Sequence, residues 1–318
     1  MKCFLAMLLL GAAMPAGAAT VYVTNERAGT ITVIDGDALK VLATWEVGKR
    51  PRGIVLSPDR TTLYVCASDD NAVLAIDRAT GTIKKTLPAG EDPEMLAISP
   101  DGRIVVTSNE RESQVSGIDV VAGRIAWQTA VGEEPEGMAY SPDGRWVVST
   151  AEESNEVSFI DAATHQVVAN LPMPERPRHA EFTADGRKLW ISSEIAGIVS
   201  VIDVATRKVE REIRFAPPGV NEDKILPDGI RFTPDGRHAL IALGRANHVA
   251  LVDAASGAVN GYVPVGKRVW HLGITPDGKR AFTANGVSGD VSVIDLASAK
   301  VIATLPAGAG AWGVAVAP

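Results

Sequence analysis

The chain has 318 residues, 46% of them hydrophobic, and its 31 lysines and arginines stand against 38 aspartates and glutamates for a formal charge of −7. So high an apolar share excludes an intrinsically disordered chain, and a net negative charge with no run of Lys or Arg lacks the electrostatic footprint of nucleic-acid or anionic-membrane binding. Length alone leaves two ordinary domains or one large closed architecture open.

The first element in chain order is a leader. Lys2 precedes an apolar stretch from Cys3 to Met14, and Pro15-Ala16-Gly17-Ala18 follows, the pattern of a secretory signal peptide over residues 1–18 with Ala16-x-Ala18 as its cleavage box. That stretch is too short to span a bilayer, and no later segment reaches ~20 uninterrupted apolar residues. The expectation is an exported, periplasmic protein without a membrane span. Cys3 lies ahead of the apolar run, where a lipoprotein cysteine does not, so lipid anchoring is not expected. Cleavage after Ala18 or Ala19 removes Lys2 and Cys3, takes the formal charge to −8 and leaves Cys66 alone, without a partner for an intrachain disulfide.

Beyond the leader the chain repeats every 42 residues. Apolar-Asp steps end at Asp35, Asp77, Asp119, Asp161, Asp203, Asp253 and Asp295, spaced by 42 except for one interval of 50. A second marker keeps the rhythm: Ser57-Pro58-Asp59, Ser99-Pro100-Asp101-Gly102, Ser141-Pro142-Asp143-Gly144, Thr183-Ala184-Asp185-Gly186, Thr233-Pro234-Asp235-Gly236 and Thr275-Pro276-Asp277-Gly278. Each unit holds four short β-patterned runs, such as 53–56, 62–66, 72–76 and 83–87, separated by Ser-Pro-Asp and Asp-x-x-Thr/Ser-Gly turns. Four strands per ~42 residues is the signature of a propeller blade. Val21–Thr24 matches the second strand of a unit and 313–318 matches the first, so the two ends complete one blade between them and leave no open edge. The fold expected for residues 19–318 is an all-β, seven-bladed β-propeller of four-stranded blades in a single domain.

In such a blade the repeated Ser-Pro-Asp-Gly and Asp-x-x-Thr-Gly turns share one face of the disc, which is monotonous and reads as structural. The connections that differ between units lie on the other face, where a site is expected. There the interblade connection, patterned Gly-x-x-Pro-x-Gly, places Arg52, Glu94, Glu136, Arg178, Asp228, Trp270 and Trp312 at equivalent positions around the channel mouth, and the next position carries His179 and His271 in two units. Arg52 and Arg178 suit anion clamps and the tryptophans flat walls of a polar pocket, although channel mouths are commonly charged without a ligand. Two residues further on, Glu181 and Arg231 fall at matching places and read as a structural ion pair. Eight extra residues near Phe215–Asp223 lengthen one connection on the same face, as a lid would.

Other chemistry is weak or absent. There is no His-Glu-x-x-His and no Cys-x-x-Cys, and a metal site would need His179 and His271 with Glu136 or Asp228 across the channel. Gly308-x-Gly310-x-x-Gly313 leads into a strand, which disqualifies it as a dinucleotide loop. No Gly-x-Ser-x-Gly elbow is present. Cys66 sits at an apolar strand position and reads as a buried thiol. Gly123–Trp127 is similar to the Trp-ended docking repeat of pyrroloquinoline-quinone (PQQ) propeller enzymes, but the other units lack the terminal Trp, so no cofactor is expected on the chain.

Val21-Tyr22-Val23-Thr24-Asn25, with its Val-Ile-Asp step and Val-Gly-x-x-Pro-x-Gly connection, resembles the YVTN β-propeller repeat over all seven units. More narrowly, the series Arg50-Pro51-Arg52-Gly53, Asp92-Pro93-Glu94, Glu134-Pro135-Glu136-Gly137, Arg176-Pro177-Arg178, Arg268-Val269-Trp270 and Trp312-Gly313-Val314 resembles the PQQ-dependent catabolism-associated β-propeller proteins. That resemblance implies an exported accessory of periplasmic quinoprotein alcohol oxidation and its ABC-type transport system, with PQQ association indirect and no catalytic residue to carry over. The leading expectation is thus a non-catalytic propeller that binds a small ligand or a protein partner through the varied face. The alternatives are a lactonase-like hydrolase, with Glu94 or Glu136 as base and His179 or His271 as acid, and a purely structural organiser of a dehydrogenase and its electron acceptor.

Overall fold

The turn markers fold by their own side chains. Asp59 accepts from Ser57 Oγ at 2.5 Å and from the Thr61 N–H at 3.0 Å, and Ser57 Oγ in turn accepts the Thr62 N–H at 3.0 Å. The same closure recurs at Ser99–Asp101, Ser141–Asp143, Thr183–Asp185, Thr233–Asp235 and Thr275–Asp277. At the other repeated turn Asp77 accepts the N–H groups of Ala79 and Thr80, and Gly81 takes φ +73° to return the chain.

These turns connect seven four-stranded antiparallel sheets in a computed structural model that describes residues 19–318. The expected leader, residues 1–18, lies outside the described residues. The second to seventh blades run through residues 51–88, 93–130, 135–172, 177–214, 230–264 and 269–306, each in the order of its strands. The first blade takes its inner strand, Ala311–Ala317, from the C-terminal end and pairs it with Thr20–Asn25, with Thr20 opposite Ala317 and Val23 opposite Val314. Seven blades and closure by both ends are as the repeat arithmetic predicts. Among the described residues no helix is long and apolar enough to cross a membrane.

The core is a set of seams between blades. Trp190, for example, meets Phe232 of the next blade edge-on at 5.2 Å, inside a cluster with Val199, Val201 and Ile241. The extra residues of the long connection contribute Phe215 and Ile225 to this cluster, and Ala216 donates its N–H to the Tyr262 hydroxyl at 2.7 Å. The insertion thus packs into the seam of the fifth and sixth blades and is not the lid that its length suggests. At two of the inner strands neighbouring backbone comes so close that a side chain is barred: a Cβ on Gly137 would collide with the Arg178 carbonyl oxygen, and one on Gly53 would lie 2.9 Å from that of Glu94. Glycine at 53 and 137 is therefore a packing requirement, whereas other blades hold Met95, His179 and His271 at the same position.

Candidate functional site

The inner strands carry a recurrent bulge. Their register shifts between Pro51 and Ile54, Pro93 and Leu96, Pro135 and Met138, Pro177 and Ala180, and Val269 and Leu272. A bulge breaks the alternation of a strand, so consecutive residues such as Arg178 and His179 both reach groups on other blades. The structure brings all nine expected site residues together, but as a layer inside the channel. Arg52, Glu94, Glu136, Arg178, His179, Asp228, His271 and Trp312 are buried, and only Trp270 keeps partial exposure.

Arg178 is the hub of this layer. Its guanidinium lies 2.8 Å from Glu136, 3.2 Å from Glu152, 3.1 Å from Glu194 and 3.8 Å from Asp228. Arg52 contacts Glu94, sits 3.8 Å from Glu136 and stacks over Trp312 with 4.6 Å to the ring centroid. Arg268 holds the other Glu194 oxygen at 2.7 Å and covers Trp270 at 3.7 Å. On the far side Arg50 reaches Asp92 at 2.5 Å and Glu94 at 2.7 Å, and Arg176 meets both Glu152 and Glu194. Below the ring the imidazoles of His179 and His271 face each other at 5.3 Å, and His271 lies 4.2 Å from Trp312 and 3.9 Å from Asp228.

Sequence position alone did not single out Arg50, Arg176 and Arg268. They stand two residues ahead of the ring, at a place where Arg50, Asp92, Glu134, Arg176 and Arg268 all take positive φ of 52° to 62°, and that αL turn sends their side chains back over the ring. The signal was the recurrence of charged residues just before Pro or Val in the interblade tags.

Burial and charge set the ionisation of the layer. Burial opposes the charge on Glu136, but the Arg178 and Arg52 guanidiniums outweigh it and hold this carboxyl below its usual range. Burial likewise opposes charge on Glu194, where Arg178 and Arg268 prevail. Asp228 goes the other way: burial, reinforced by the Glu194 charge and only partly offset by Arg178, pushes it up to about 7. Burial also raises Glu152 and lowers both histidines, so the imidazoles are neutral. Asp228 Oδ2, His271 Nε2 and Trp312 Nε1 are buried with no hydrogen-bond partner among the described residues.

This arrangement has chemical consequences. Glu94 and Glu136, the carboxylates suited to a hydrolase base, are both held by guanidiniums and closed off from solvent. Asp92, Glu94 and Glu110 bring three carboxylate oxygens within 4.8 Å of one another, as a cation site would, but Arg50 and Arg111 already pair with Asp92 and Arg52 with Glu94. Glu181 and Arg231 form the expected ion pair at 2.6 Å. Cys66 is buried 3.5 Å from Thr107 Oγ1, its thiol pushed up to about 12 by burial. Trp127, of the docking-like segment, stacks on His165 at 4.7 Å.

A disc of seven four-stranded blades whose channel is plugged by its own ion pairs defines a closed propeller. This chain belongs to the family whose model is described as outer membrane protein assembly factor BamB, which matches residues 9–260. No curated protein matches the sequence. Among solved structures the chain is similar to hydrazine synthase of Kuenenia stuttgartiensis, at 23% identity over 87% of this chain and 92% of that one, with a TM-score of 0.79. It is also similar to a proposed 6-phosphogluconolactonase from Bacteroides uniformis, at 19% identity over 94% and 99% of the two chains and a TM-score of 0.78. A protein of unknown function from Desulfotomaculum acetoxidans matches at 15% identity over 93% and 98%, again with a TM-score of 0.78. At these identities the likeness is one of fold.

Proposed function

We propose that this protein is a non-catalytic, exported propeller of YVTN-repeat type that serves a periplasmic, PQQ-dependent alcohol-oxidation system by binding a protein component of it or of its transport machinery. The observation that carries the reading is that Glu94 and Glu136, the ring carboxylates suited to a hydrolase base, are paired with Arg52 and Arg178 and shut off from solvent. The glutamates and guanidiniums pair with one another in a buried layer that fastens the inner strands, and the groups left without a partner there, Asp228 Oδ2 and His271 Nε2, are buried as well. What remains for recognition is the varied rim, with exposed Arg27, Lys49, Asp69, Arg111, Glu153, Arg245 and Lys267. The family description, an assembly factor, supports work done through protein contacts, and the leader-like residues 1–18 support export.

The test is association of the chain from Ala19 onward with a purified quinoprotein alcohol dehydrogenase, its cytochrome acceptor and the substrate-binding component of the transporter, followed by calorimetry. One of them should bind, and Lys49→Glu with Arg245→Glu, both on the rim, should change that affinity at least tenfold in a protein that melts like the parent. Binding of none of the three, together with turnover of a sugar lactone lost in His271→Ala, would replace this reading with the hydrolase.

A further inference from the structure

The opposite end of the channel has a different chemistry. Three residues past the ring, the inner strands carry Val55, Ala97, Ala139, Gly273 and Ala315 in five blades and the Glu181–Arg231 pair in the other two. Around them the channel opens, on the face of the Ser-Pro-Asp turns, into two adjoining cavities of about 300 and about 270 Å³. Most of the side chains around them are aliphatic or aromatic, with Ile54, Met95, Met138, Tyr140, Phe182 and Val316 among them, and His179 and Glu181 also line the first. Arg231 lines both cavities.

Only one edge of the Arg231 guanidinium is committed. Its Nη1 donates to Glu181 at 2.6 Å and to the Ile230 carbonyl at 3.1 Å and approaches His179 Nε2 at 3.2 Å. Its Nε and Nη2 make no hydrogen bond among the described residues, and the side chain keeps 30% of its exposure. A guanidinium edge is a bidentate receptor for a planar anion. Aliphatic and aromatic side chains around a few convergent polar groups, here Arg231, Glu181 and His179, are the composition of a small-molecule site.

We propose that this bowl binds an aliphatic monocarboxylate, its head on the free edge of Arg231 and its chain along the inner-strand wall. Glu181 holds Arg231 in place, and neutral His179 closes the floor without adding charge. The site lies across the plugged layer from the rim and does not depend on the partner reading.

Titrating the chain with butanoate, hexanoate and octanoate tests it, with octanol and octylamine as head-group controls. Affinity should rise about fourfold per added methylene, and octanoate should bind at least tenfold more tightly than octylamine. Arg231→Met should abolish the preference of octanoate over octanol while keeping the chain-length trend, which a purely structural ion pair would not do. Glu181→Gln, which removes the negative charge beside Arg231, should tighten octanoate, and Ala97→Trp should block every ligand. No dependence on chain length, equal binding of acid and amine, or an acid preference that survives Arg231→Met would each overturn the proposal. If Arg231→Met fails to melt cooperatively, the ligand series on the parent and the Glu181→Gln result decide.

Discussion

Replacing Arg178 by Met removes the cation that four carboxylates share. Glu136, Glu152, Glu194 and Asp228 stand 2.8 to 3.8 Å from that guanidinium, and all four are buried. Breaking a buried pair by removing one partner costs about 3–5 kcal/mol, because the charge left behind stays desolvated. In a chain of this size each kcal/mol moves Tm by roughly 2–4 °C, so the variant should melt on the order of 10 °C below the parent at pH 8. The loss should also depend on pH. Without Arg178 the folded-state pKa values of these carboxyls rise above their unfolded values. A group raised in this way gives stability that is present at low pH and is lost as pH rises through the folded pKa. The deficit against the parent should therefore be small at pH 5 and full at pH 8. Urea unfolding of both proteins at the two pH values measures it, with Arg178→Lys as a control that keeps the charge but not the fork. A deficit below about 1 kcal/mol, or one equal at both pH values, would mean that the layer is solvated and the burial argument fails.

Asp228 makes a related prediction in the parent, since its folded pKa of about 7 stands above its ordinary 3.8. The parent should lose stability as pH rises from about 4 to about 7, at about 1.36 kcal/mol per pH unit, so Asp228→Asn should gain on it by up to roughly 3 kcal/mol between pH 5 and pH 8.5; an unchanged difference in Tm would refute this. Gly137→Ala should cost about 1–3 kcal/mol from backbone overpacking, whereas Gly261→Ala, with no atom within 4 Å of its would-be Cβ, should stay within about 0.5 kcal/mol; equal melting of the two would remove the packing role claimed for the inner glycines. The Cys66 thiol, raised to about 12 and buried, should resist Ellman's reagent at pH 8 in the native protein and react in urea, and fast native labelling would contradict its placement.

The fold was legible because the 42-residue rhythm repeats both turn chemistry and strand pattern, so errors in one unit are corrected by the other six. The angular order of the ring was legible for the same reason, since equivalent positions in successive blades must surround one axis. Depth was not. Whether Arg52 stands at a mouth or inside the channel depends on the bulge after Pro51 and on how far neighbouring inner strands close in, and neither has a signature in one residue. Glu152 and Glu194 were legible as residues of second-to-third-strand loops, which strand order puts on the same face as the ring, whereas Arg50, Arg176 and Arg268 were hidden because αL turns bring them back over it. The Glu181–Arg231 pair was legible from register. The bowl around it was not, since runs of Val, Ala and Gly on an inner strand look the same whether they face a seam or a cavity.

The closing pair of strands has a consequence for how the chain can be rearranged. Thr20 stands opposite Ala317, so the described ends meet beside the Ser-Pro-Asp turns, next to the bowl. A short linker across that gap would turn the described chain into a circle, and a circle can be cut elsewhere. Termini that close allow circular permutation, and here each exposed turn between the outer strands of a blade, such as Asp161–His165, offers a new start. Such a permutant would move the chain ends to the circumference and leave the rim and the bowl in place, so probes or tethers fused to it would report on either face without crowding them.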